Sequence, residues 1–324
     1  MVVRGLTNRA RGILILTISL ASAVGTSADE SLPLAFAHTD GKVVVTAGEH
    51  PLITYVYQDP HITRPYFYHA HAPGGIQVTR NFPPIEGQDA TDHADLHPGL
   101  WLAFGDISGS DYWRLKARVQ HAEFLKLPQG LGDSGGFAVR NRYLAHDDPS
   151  RTICQEDCRF TFYVQPRGYW LIWDSTFTSD MPFAFGDQEE MGLGVRVASP
   201  ISVDKGGHGR ILDSARRRNG KEVWGQASEW VDYSGPLQGR FAGVAVMTHP
   251  GNLRPSRVHA RDYGFMAVNL FGRAWSQHGE PYRLEVKAGE PFRLRYGVWL
   301  HAGTEPQHAD VSAAYQEYLQ RCDK

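Results

Sequence analysis

Short alternating runs of β-branched and aromatic residues, broken at close intervals by Gly, Pro, Asn and Asp, most constrain what this chain can fold into. Lys42-Val43-Val44-Val45-Thr46, Leu52 to Tyr57, Phe160 to Val164, Tyr169 to Trp173, Gly194 to Ala198 and Phe241 to Met247 are of this kind. Such runs bury one or both faces of a pleated strand, and the breakers between them supply turns. Tyr282 to Val286 and Phe292 to Leu300, joined by Lys287-Ala288-Gly289-Glu290-Pro291, predict a hairpin. Helical periodicity is confined to the end, where Val311, Ala314, Tyr315, Tyr318 and Leu319 line one face of a helix expected over 309–322. No regular strand–helix alternation and no fixed-period repeat occurs, so a parallel α/β fold and a propeller are disfavoured. The expected class is all-β: one large antiparallel β-sandwich, residues 29–324, with a single C-terminal helix.

Residues 1–28 carry Arg4, Arg9 and Arg11, then an apolar run from Ile13 to Val24, then small residues at Ala21-Ser22-Ala23 and Thr26-Ser27-Ala28. This is the layout of a cleaved signal peptide, and it implies a periplasmic or secreted protein. No later stretch is long enough to span a membrane, so no insertion is expected once the signal is removed. The balance of 33 basic against 35 acidic residues, net −2, excludes the basic surface of a nucleic-acid binder. In an oxidising compartment Cys154 and Cys158 predict a short-loop disulfide, with a metal pair or free thiols as alternatives; Cys322 is left over.

Three polar clusters carry the candidate chemistry. The first runs from Arg64 through His69, Arg80, Asp92, His93 and His97 to Trp101, with Trp113 beyond. His93 and His97 are four apart, but Pro98 and Gly99 follow at once, so a loop is expected rather than a metal-binding helix. Asp92, His93 and His97 are the right ligand types for a divalent metal, and the imidazoles are equally suited to proton transfer near neutral pH. The second cluster holds His249, Asn252, His259, Arg261, Asp262, Tyr263 and Asn269, read as the loop wall of a polar-ligand pocket. The third, Asp187-Gln188-Glu189-Glu190, precedes a strand carrying Arg196; Glu190 is the reserve carboxylate for a glycosidase-type mechanism. Neither a phosphate-cradling Gly-rich loop before a helix nor a Gly-x-Ser-x-Gly elbow occurs.

Arg64-Pro65-Tyr66, Thr79-Arg80, Pro83-Pro84, Asp92-His93, His97-Pro98-Gly99-Leu100-Trp101, Asp111-Tyr112-Trp113, His249-Pro250-Gly251-Asn252 and His259-Ala260-Arg261-Asp262-Tyr263-Gly264 resemble a bacterial domain family labelled PmoA-like. The resemblance covers about residues 40–305. It implies an exported protein accompanying sugar-processing enzymes, with a sandwich similar to that of galactose-mutarotase-like proteins. The label's allusion to the membrane subunit of a methane monooxygenase is not carried over, since the mature chain has no spanning segment.

Together these readings predict a carbohydrate-active enzyme, a lyase or glycoside hydrolase in the broad sense, working by His-based acid/base chemistry on a poly- or oligosaccharide. His93, His97, His259, Tyr263 and Glu190 are the candidate catalytic groups. Arg64, Arg80, His69, Trp113, Arg196, His249, Asn252, Arg261, Asp262 and Asn269 are the candidate substrate contacts. No cofactor is indicated with certainty by the sequence, a divalent metal stays open, and oligomeric state is not readable. The alternative is a non-catalytic carbohydrate-binding β-sandwich. Both need the first two clusters to lie on one face.

Overall fold

The computed structural model describes residues 1–2, 32–204 and 207–323. The expected leader, 1–28, falls outside the described residues apart from its first two. The unit Ser31–Lys324 is a sandwich of two eight-stranded antiparallel sheets. In spatial order the first sheet is Leu34–Thr39, Lys42–Ala47, His50–Val56, Tyr66–Tyr68, Leu100–Phe104, Met191–Arg196, Phe265–Asn269 and Arg257–Arg261. The second is Arg210–Asp213, Trp230–Leu237, Arg240–Thr248, Phe292–Gly303, Gly168–Thr178, Thr152–Gln165, Ser134–Leu144 and Val119–Leu131.

Alternation explains the layers. In Leu100–Phe104, Leu100, Leu102 and Phe104 enter the core between the sheets, while Trp101 and Ala103 point the other way. The inter-sheet core is aromatic: Tyr55 and Phe67 of the first sheet meet Phe160 of the second at 5.0 Å centroid separation, and Phe67 meets Trp173 at 5.4 Å. The helix His308–Cys322 closes the outer face of the second sheet, burying Val311, Ala314, Tyr315 and Tyr318 against Trp170, Trp230 and Trp299. Gln307 and Asp310 form a capping box at its start. A Cβ on Gly297 would sit 2.6 Å from the Tyr318 ring, so only glycine lets the helix lie this close.

The expected hairpin does not form. Leu284–Val286 pairs with Phe183–Phe185 instead, and Phe292–Gly303 runs between Gly168–Thr178 and Arg240–Thr248. Gly168–Thr178 takes one edge of Phe292–Gly303 from Phe292 to His301, Arg240–Thr248 takes the other from Tyr296 to Gly303, and the His249–Asn252 turn bonds Arg295 beyond it. A one-turn helix at Asn219–Val223 carried no recognisable periodicity.

The expected disulfide is also absent. Cys154, Cys158 and Cys322 are free. Cys154 and Cys158 lie on one strand, Thr152–Gln165. Four residues at about 3.3 Å each separate their Cα atoms by roughly 13 Å, about twice the reach of a disulfide. Both thiols are buried, and burial pushes them well above their ordinary value. Native protein should therefore leave them unlabelled by a thiol reagent, whereas non-reduced denatured protein should titrate three thiols per chain; one would mean that the pair is bonded.

Candidate functional site

The first sheet's outer face carries part of each of the first two clusters, and strand register places those residues there. Trp101 pairs with Gly194, Gly194 with Ala267, and Ala267 with His259. Two residues along, Arg196 pairs with Phe265 and Phe265 with Arg261. Paired residues share a face, so two parallel rows result: Trp101–Gly194–Ala267–His259 and Arg196–Phe265–Arg261. A Cβ on Gly194 would meet the Trp101 ring at 2.6 Å; its absence lets the indole lie across the strand.

The segment Asp89–His97 folds over these rows. The His97 N–H donates to the His93 carbonyl at 2.9 Å, a single helical-type turn at the four-residue spacing. That turn stacks the two imidazoles, with centroids 4.8 Å apart and planes 12° from parallel. His97 stacks in turn on Phe265 at 4.6 Å and on Trp101 at 4.9 Å. His93 lies parallel to Tyr263 at 6.0 Å. His259 meets the edge of the same Phe265 ring at 4.9 Å. His93 and His259 therefore share one face, linked through His97 and Phe265.

Three buried guanidinium groups hold the segment down. Arg80, 1% exposed, donates to the carbonyls of Ala90 and Asp92 at 2.7 Å, His97 at 3.1 Å and His93 at 3.4 Å. Arg64 donates to Leu96 at 2.6 Å and Trp113 at 2.9 Å. Burial pushes Arg80 down to about 10 and Arg64 to about 9, which leaves both charged near neutral pH. Arg196 grips the Asp92 carboxylate with two bonds of 2.8 Å and lies 4.6 Å over the Tyr263 ring.

Asp92 Oδ2 lies 3.0 Å from His93 Nδ1. A carboxylate there selects the Nδ1–H tautomer and leaves the Nε2 lone pair free. Partial burial pushes the Asp92 carboxyl up, but the bonds from Arg196 and His93 outweigh it and hold it well below the usual carboxylate range. The His93 side chain is 47% exposed, and its backbone is left-handed, φ 49°. For a non-glycine residue that conformation costs about 1 kcal/mol, a strain the bonded turn sustains. His97 is buried, and burial together with the surrounding cations holds it well below the ordinary histidine value.

The second half of the face centres on Glu189. Its Oε1 receives Arg261 at 2.7 Å, Trp224 Nε1 at 2.9 Å and His259 Nε2 at 3.1 Å. Asn269 donates to the carbonyls of Gln188 and Glu189 and so fixes that segment. Burial lowers His259 to about 4, more than the Glu189 charge raises it. The folded value lies below the ordinary 6.5, so the unfolded chain takes up the proton first. Stability is then fully present above about 6.5 and falls as pH drops toward about 4. The thermal midpoint should fall over this window, and His259→Gln should flatten the slope; parallel curves for the two proteins would contradict it.

The remaining expected contacts lie elsewhere or beneath. Glu190 pairs with Arg114 rather than with His259, and Glu189, its neighbour, takes the place expected for it. His249 caps Gly251, and Asn252 bonds both backbone groups of Arg295 on an inner strand of the second sheet, past the end of Arg240–Thr248. The region 248–269, read as one loop wall, is instead a connection followed by the hairpin Arg257–Arg261 and Phe265–Asn269. Asp262 accepts the Gly220 N–H beside the short helix. Trp113 is buried under Trp101 at 5.3 Å, and His69 accepts the Phe82 N–H beside Tyr68. Among the described residues no group of three or more His, Cys, Asp or Glu side chains is placed to hold a metal ion. The parallel stack sets His93 and His97 side by side.

The model of a family of unknown function, DUF6807, matches residues 42–316. The chain belongs to the DUF6807 family. Nothing in the comparisons supports the PmoA-like resemblance. No curated protein matches this DUF6807 chain. It is similar to the GH36 α-galactosidase AgaB from Geobacillus stearothermophilus (10% identity, TM-score 0.41, covering 83% of this chain and 41% of that one). It is similar also to a GalM/aldose epimerase homologue from C. elegans (11%, 0.35, 84% and 100%). A third is a galactose mutarotase related enzyme from Lactobacillus acidophilus (10%, 0.35, 84% and 98%). The chain spans about two fifths of the α-galactosidase's length. At TM-scores below 0.5 these likenesses carry no argument about this member's activity. No helix among the described residues is long and apolar enough to cross a membrane.

Proposed function

We propose that this DUF6807 protein is an exported carbohydrate-active enzyme, a lyase or glycoside hydrolase in the broad sense, in which His93 transfers the proton. The observation that carries this reading is the Asp92–His93 pair, 3.0 Å apart, with an exposed imidazole above a platform of parallel rings. His93 Nε2 takes a proton either from the water that bonds to the anomeric carbon as the glycosidic C–O bond breaks, or from a ring carbon whose C–H electron pair becomes a C=C bond as the glycosidic oxygen leaves. In each case the imidazolium returns that proton to the departing oxygen. The imidazolium that forms is held by Asp92, and the Asp92 charge is held by Arg196. Tyr263 and Trp224 offer half-buried aromatic faces on which a sugar ring can stack. Glu189 is the second carboxylate, anchored by His259 and Arg261.

A screen of poly- and oligosaccharides, reading both binding and product, tests the proposal. Tyr263→Ala should weaken binding at least tenfold, and His93→Ala should remove product formation while leaving binding within a few-fold. Binding without any product would leave a sugar-binding module. No binding to any glycan would overturn both.

A further inference from the structure

A polar hollow of about 590 Å³ lies at the end of the first sheet, beyond the platform. Asp106, Asp111, Arg114, Lys116, His146 and Gln188 line it, with Gly105 and Gly109 between them. Gln188 ties it to the site already described: its side-chain oxygen accepts from Arg114 at 3.2 Å, while its carbonyl is held by Asn269, which also holds Glu189. Gly105 follows Trp101 by four residues, which places the hollow roughly 13 Å along the sheet from the indole. A Cβ on Gly105 would meet the Gln188 side chain at 2.5 Å, so this glycine keeps the wall in place.

Charge decides what fits. Both cations lining the hollow already have a carboxylate: Arg114 has Asp111 and Glu190, and Lys116 has Asp111 at 3.6 Å; over the platform, Arg196 has Asp92 and Arg261 has Glu189. Arg64 and Arg80 are buried and donate to main-chain carbonyls. An anionic sugar would have to displace a resident carboxylate. A hydroxyl can donate to the carboxylate and accept from the guanidinium at once, so paired charges suit polyols.

We propose that this hollow is a second subsite, holding a further unit of an uncharged oligosaccharide whose first unit lies over His93 and Tyr263. This rests on the sugar reading above, selects its hydrolase arm because an uncharged sugar has no carboxylate to acidify the proton a lyase removes, and adds the chain's charge class and a second point of contact.

Binding of defined oligosaccharides to the full chain tests it. The probes are the di- and tetrasaccharides of cellulose, starch and β-1,4-galactan, set against tetragalacturonate and a heparin tetrasaccharide. An uncharged series should bind, with the tetrasaccharide at least tenfold tighter than the disaccharide. Arg114→Gln should abolish that gain and leave the disaccharide affinity within twofold. Lys116→Ala, at an exposed position where folding is not at stake, should reduce the gain severalfold. Retention of the full gain in both variants would overturn the subsite while leaving the His93 site standing. Tighter binding of a charged probe would overturn the charge class. Binding of no probe would overturn the sugar reading itself.

Discussion

His93→Ala should lower kcat/KM on the sugar substrate by about two to four orders of magnitude, the usual contribution of a positioned general acid or base. Because the side chain is half exposed, stability should change by no more than about 0.5 kcal/mol. Asp92→Asn probes the same pair from behind. The amide keeps the volume but removes the charge that steadies the imidazolium, so turnover should fall at least tenfold. It also leaves the buried Arg196 guanidinium without its carboxylate, so this variant, unlike His93→Ala, should be measurably less stable. The two variants together separate chemistry from folding. Unchanged turnover in His93→Ala on an active wild-type background would remove the proton-transfer role.

Arg80→Met should produce the largest loss of stability of any single change around the site, about 3 kcal/mol. The methionine fills much of the volume but supplies no donor. Four main-chain carbonyls then lose their partner in a largely dry setting, and Asp92 loses a nearby cation. Arg80→Lys keeps the charge but cannot reach four carbonyls with one ammonium, so it should recover only part of the loss. Urea unfolding monitored by tryptophan fluorescence gives the stability difference. A loss below about 1 kcal/mol in Arg80→Met would show that the segment holds itself in place.

Much of the fold was legible in the residues, because alternation in runs such as Leu100–Phe104 and Phe265–Asn269 encodes which side chain meets which layer. The C-terminal helix was legible for the same reason at another period. The hairpin at 282–300 was misread because partner choice depends on which edges the rest of the sheet leaves open. The disulfide was misread because spacing in sequence does not reveal that both cysteines ride one extended strand. At the site, His93, His259, Arg261 and Tyr263 were found as polar residues crowded into short segments. His249 and Asn252 belong to the same crowd, yet they lie across a crossover between the sheets. Arg64 and Arg80 were read as ligand contacts, and only the geometry turns their donors onto the backbone beneath the loop. Glu189 was passed over for Glu190, since adjacent residues just before a strand have no periodicity to say which faces the site.

The most direct test is a titration of protein labelled with ¹⁵N at histidine, using the oligosaccharide that binds most tightly. Imidazole nitrogens report tautomer, charge and contact separately for each of the 15 histidines. Free protein should show His93 as the Nδ1–H tautomer and His259 neutral down to about pH 5. Saturating ligand should shift both while leaving His38 and His301, on other parts of the sandwich, unmoved. If ligand moves neither, or moves His259 without His93, the two halves of the face do not form one site.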